Sequence, residues 1–117
     1  MSRAQDVRIL AIDAATEAVS AALWSASGVI ARYEEAGRDA ALRILPLVDE
    51  VLAQAGVRLT ELTALAAGIG PGAFTGVRIS VAVAQGLAFG AGLPVIGINS
   101  LEALAWLQRN GCKQIYF

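Results

Sequence analysis

The chain has 117 residues, 56% hydrophobic and 16% charged, with nine basic and ten acidic side chains for a net charge of −1. That length suits one domain with a sizeable core, and the balanced charge lacks the basic footprint of direct nucleic-acid binding. Histidine is absent, which excludes His-based triads, HExxH zinc sites and imidazole general bases.

Val7 to Ile12 is apolar apart from Arg8, the pattern of a central strand buried on both faces. It ends in a small polar turn, Asp13-Ala14-Ala15-Thr16-Glu17. Val19 to Ser25 resumes with strand-like composition, Ser27-Gly28 makes a second turn, and Val29 to Glu35 alternates as an edge strand does. Three consecutive antiparallel strands are the economical reading. Asp39 is then an expected N-cap, and Ala40 to Ala55 is a helix by the spacing of its apolar residues at 41, 44, 45, 48, 51 and 52. Its apolar arc exceeds the roughly 100° that one-sided packing needs. Arg43 and Glu50 mark the wet side, Pro46 is expected to bend the helix, and Gly56 ends it. Two readings of the wide arc stay open: a docked partner, or a helix tucked deeper into its own core.

A fourth strand, Leu62 to Ala67, feeds Gly68-Ile69-Gly70-Pro71-Gly72-Ala73-Phe74-Thr75-Gly76-Val77-Arg78. This is a strand, a glycine-rich bend and a helix from Thr75 to Gly90, with Thr75 as N-cap. Free amides at the helix start and Arg78 suit an anion or another chain's acidic group; packing alone is the other reading. Gly76 is followed by valine, so the bend is not a P-loop, and the third glycine comes one residue late for a dinucleotide fingerprint. Ile79 to Ile98 carries no charge and contains Gly86-Leu87-Ala88-Phe89-Gly90, which superficially suits a membrane span. Gly90, Gly92 and Pro94 divide it instead into a buried helix and a short fifth strand, Val95 to Ile98. Ser100 caps a third helix, Leu101 to Arg109. With no membrane span, no signal peptide and a lone Cys112, a cytoplasmic location is expected.

Three meandering strands followed by helix–strand–helix–strand–helix predict an α/β domain of ribonuclease H-like type. It is a five-stranded mixed sheet, order 3-2-1-4-5, with three helices. Ligands meet such sheets at the carboxyl ends of parallel strands, where Asp13 and Thr16 should neighbour Gly68 to Gly72. The chain ends in a β-like run, Gln114 to Phe117. Residues 1–112 are therefore expected to form an N-terminal domain, with 113–117 the start of a second.

Ile12-Asp13-Ala14-Ala15-Thr16-Glu17, Arg43-Ile44-Leu45-Pro46, the loop Gly70 to Ile79 and Ala84-Gln85-Gly86-Leu87-Ala88 together resemble the bacterial TsaB (YeaZ) family. The resemblance covers essentially all 117 residues, and GPGxFTGxRxG-like loops are specific to that family and its relatives. Ser80 stands where a glycine is common. The resemblance implies the actin-like ATPase superfamily and a part in making threonylcarbamoyladenosine at position 37 of tRNA. The implied role is a non-catalytic scaffold, paired with the catalytic TsaD subunit and joined by TsaE, an ATPase, with tRNA engaged only indirectly. Pairing in the family resembles a helical bundle of first and second helices, and the same surface supports homodimers. Carried over to this chain, the contact residues are Ala41, Ile44, Leu45 and Val48, with Val77, Val81 and Ala84 on the second helix. Asp13 and Thr16 are a degraded first phosphate loop, and Gly70, Gly72, Thr75, Gly76 and Arg78 form the glycine-rich loop. The catalytic relative holds its metal with a histidine pair. This chain has none, so no metal, cofactor or catalytic residue is expected. Alternatives are a lobe of an actin-like small-molecule kinase, supported only by Asp13, and a peptidase, for which Ser20, Ser80 or Ser100 would lack the usual base.

Overall fold

A computed structural model describes residues 7–14, 18–36, 39–70 and 74–99. Strands β1 (Ile9–Asp13), β2 (Ala18–Ser25) and β3 (Gly28–Glu35) come first, then helix α1 (Ala40–Ala55), strand β4 (Ala64–Gly70), helix α2 (Phe74–Ala91) and strand β5 (Val95–Asn99). The sheet order is β3-β2-β1-β4-β5, as expected. β1 runs antiparallel to β2 and parallel to β4, and β5 continues the parallel half. The expected third helix, the run 113–117 and the boundary between them lie outside the described residues.

Period-two alternation decides which side chains meet the helices. Leu10 pairs with Leu23 and Leu65, and Ile12 with Ala21 and Ala67. These buried residues form one core with Ile44, Leu47, Val48 and Val51 of α1 and Ala84 and Ala88 of α2. At roughly 1.5–3 kcal/mol for each large aliphatic side chain taken from water, this layer is the main stabilising term. Trp24 and Val29 pair across β2 and β3 on the opposite face, where both are exposed.

Several local details differ from expectation. Asp39 makes no side-chain cap bond, and its φ of −90° and ψ of 11° lie outside the extended region; its backbone N–H donates instead to the Ala36 carbonyl at 2.8 Å. α1 runs from Ala40 to Ala55 with Pro46 inside it and ends at Gly56, which is left-handed as predicted. α2 continues past Gly90 to Ala91, because the residue that adopts positive φ (69°) is Gly92. The Leu93 N–H then closes the end on the Ala88 carbonyl at 2.9 Å, which is the geometry a left-handed stop provides. α2 begins at Phe74, so Thr75, the expected N-cap, is instead the second residue of the helix. A short 3₁₀ turn, Leu59–Glu61, precedes β4. It is closed by the Arg58 N–H donating to the Glu61 carboxylate at 2.8 Å.

The uncharged stretch Ile79 to Ile98 is divided between α2 and β5. Among the described residues no helix is long and apolar enough to cross a membrane.

Candidate partner surface and the carboxyl edge of the sheet

The predicted contact residues of α1 separate into two rows. Ile44 is 0% exposed and Val48 is buried with it, so both belong to the chain's own core. This corrects their assignment to a contact surface. The reason is the helix's rotation: positions 40, 44, 47, 48, 51 and 52 face the sheet, and 41, 42, 45 and 49 face away. Ala41 and Leu45 are exposed as the docking reading requires, and Leu42, which sequence reasoning missed, is 74% exposed. The signal for Leu42 was there, since it precedes Leu45 by three positions, one helical turn.

α2 divides likewise. Ala84 is fully buried and takes part in the core, again correcting a predicted contact, while Val77 and Val81 are half-buried. The outward row consists of Ala82, Gly86 and the 91%-exposed Phe89. A Cβ built on Gly86 or Gly90 would meet nothing within 4 Å, so this side of the helix is open to a close neighbour. The 56% hydrophobic composition is thus met partly by large apolar side chains left outside: Leu42, Leu45 and Phe89 on the helices.

Two contacts hold α1 in this rotation. The Arg43 Nε and Nη2 donate to the two carboxylate oxygens of Glu34 on β3 at 2.6 and 3.1 Å, and Arg32 donates to the Gln54 side chain. Arg43 is therefore a half-buried partner of the sheet, where the sequence placed it on the wet side. Its hydrogen bond, more than its charge, holds the Glu34 carboxyl below the usual glutamate range against partial desolvation, and Glu34 in turn raises the Arg43 pKa.

The second locus is the carboxyl edge. Asp13 closes β1, and its carboxyl carbon lies where a Cβ on Gly68 would come within 2.7 Å. A side chain at position 68 would require the Asp13 carboxylate to move, so the Asp13–Gly68 adjacency expected from the topology is present. Beyond Gly68 the β4–β5 register shifts, Gly68 pairing with Ile98 and Gly70 with Asn99. The extra residue, Ile69, is turned out to solvent, as bulges re-aim side chains beside sites. Gly70 ends β4, Thr75 and Gly76 lie in the first turn of α2, and Arg78 is exposed one turn on. Thr16 and Gly72 lie outside the described residues. Among the described residues no group of three or more His, Cys, Asp or Glu is placed to hold a metal ion.

The model of the family described as "TsaD: tRNA N6-adenosine threonylcarbamoyltransferase" matches residues 18–114. The chain is 50% identical over 112 residues to the tRNA threonylcarbamoyladenosine biosynthesis protein TsaB of Escherichia coli K12, spanning 93% of this chain and 48% of that protein. It belongs to the TsaB (YeaZ) family. TsaB of Haemophilus influenzae is likewise 50% identical, over 86% of this chain and 43% of its own length. YeaZ from Pseudomonas aeruginosa superposes with a TM-score of 0.79 at 42% identity, over 90% of this chain and 50% of that one. The tRNA N6-adenosine threonylcarbamoyltransferase of Paracoccus denitrificans is 45% identical over 65% of this chain. The chain thus spans about half the length of the TsaB proteins that it matches.

Proposed function

We propose that this TsaB-family chain acts as a docking subunit in threonylcarbamoyladenosine biosynthesis, offering the outer faces of α1 and α2 to a TsaD-like catalytic partner and carrying no reaction centre itself. The observation that carries the reading is the exposure of Leu42 and Leu45 on the outer face of α1 and of Phe89, with the small residues Ala82 and Gly86, on that of α2. Small residues on the outer face of α2 let a second helix pair approach closely, and an aromatic side chain such as Phe89 brings a large apolar area to an interface. Ala41, Val77 and Val81 complete the surface. Ile44, Val48 and Ala84 support it from beneath, because the core they fill fixes the helix rotation. A TsaE-like ATPase joins through the complex, tRNA is met indirectly, and the same face serves a homodimer. Residues 1–112 act as the N-terminal unit of this arrangement, and the setting is cytoplasmic.

Co-expression with a TsaD-like subunit tests the reading. A stoichiometric complex is expected on size-exclusion chromatography, lost with Leu45→Asp while the unfolding midpoint of that variant stays within roughly 4 °C of the parent. A complex that survives Leu45→Asp and Phe89→Asp together rejects the helix face. Turnover of ATP or peptide by the purified chain would reject the absence of a reaction centre.

A further inference from the structure

The end of β1 is fastened from two sides. Ala14, the first residue beyond β1, donates its backbone N–H to the Ser80 Oγ of α2 at 2.8 Å, across sixty-six positions of sequence. Both residues are buried, Ser80 completely and Ala14 nearly so. The Ser80 oxygen thus accepts from an element other than its own helix. On the other side the Asp13 carboxyl sits against the Cα of Gly68 in β4. The residue that follows β1 is thus tied to α2, the helix that presents Phe89 outward.

We propose that Ser80 is a positioning residue, a latch that makes the end of β1 (Asp13 and Ala14) and helix α2 one cooperative unit, so that displacement of α2 carries Asp13 with it. A buried amide stripped of its acceptor bears the desolvation penalty of an unmade bond, so Ala14 gives up its place only when the helix does. The latch is independent of which partner docks on α1 and α2.

Native-state hydrogen exchange on the full chain, followed by NMR over a denaturant series, tests this. In the parent, the Ala14 amide should exchange with the same denaturant dependence as the Ala84 and Ala88 amides, the mark of a shared opening unit. In Ser80→Ala and Ser80→Gly alike, Ala14 should exchange roughly tenfold to a hundredfold faster and lose that dependence. Ala84, Ala88 and Leu65 should speed up by less than Ala14, and by no more than the loss of global stability of the same variants accounts for. The proposal is overturned if parental Ala14 exchanges independently of α2, or if its protection is unchanged in both variants. It is equally overturned if both variants loosen α2 and the sheet to the same extent as Ala14, which would make Ser80 an ordinary core residue.

Discussion

Ile44 and Leu45 are neighbours of similar size and apolarity, yet one is sealed against the sheet and the other stands in solvent. The inner row of α1 makes the fold; the outer row is excess apolar surface that the fold itself does not use. Residue type does not separate the rows, and rotation of the helix does. That rotation is fixed by the Leu10–Leu23–Leu65 layer below and by the Arg43–Glu34 fork at the side. Apolar composition alone therefore cannot nominate a docking residue, because a core residue and an anchor look alike until the helix is seated.

The contrast can be broken most forcefully at the inner row. Ile44→Asp places an unpaired charge in the core, a loss of about 3–5 kcal/mol, large beside a typical total of roughly 5–15 kcal/mol. A circular-dichroism melt should show a strongly lowered midpoint or no transition. Gly68→Ala should cost about 1–3 kcal/mol as the new methyl is driven against Asp13. Denaturant titration of Gly68→Ala, Asp13→Ala and the double variant should show the double less destabilised than the two singles summed. Leu45→Asp, on the outer row, should change stability by no more than about 0.5 kcal/mol, so the pair Ile44→Asp and Leu45→Asp measures the difference between the two rows directly.

The smallest effect concerns the fork. Because Glu34 is held below its usual range in the folded chain, its contribution is present above the ordinary glutamate pKa and fades as pH falls through the lowered folded value. Arg43→Ala should bring the Glu34 carboxyl titration back toward the ordinary glutamate range, read by NMR, and remove that part of the acid limb. A Glu34 titration unchanged in Arg43→Ala would show that the fork does not persist in solution.

Much of this architecture was legible from the residues. Short polar turns at Asp13 and Ser27-Gly28 force neighbouring antiparallel strands, and the longer connections carrying α1 and α2 force parallel ones, so the strand order follows with little freedom. The span of α1 could be read from its 3.6-residue period and Gly56. What escaped was tertiary. Asp39 has the chemistry of a cap and not the backbone angles. Gly90 and Gly92 are equivalent as letters, and only the left-handed turn at Gly92 distinguishes them. Ser80 reads as a diluting polar residue in an apolar helix until its hydroxyl is found on the Ala14 amide. At the outer surface, Leu42 is legible through its one-turn spacing to Leu45, whereas the exposure of Phe89 is decided by elements distant in sequence.

The pairing of β1 with β4 bears on the order of assembly. Arg8 and Thr63 are bonded to each other across fifty-five positions, the Arg8 N–H to the Thr63 hydroxyl and the Thr63 N–H to the Arg8 carbonyl, at the point where β1 and β4 begin to run side by side. During synthesis the meander β1-β2-β3 leaves the ribosome with the inner edge of β1 bare, and nothing can close it until β4 follows. Such distant closure is slow compared with hairpin formation. Until β4 is made, the future central strand has one edge unpaired, and an unpaired edge is a hazard for aggregation.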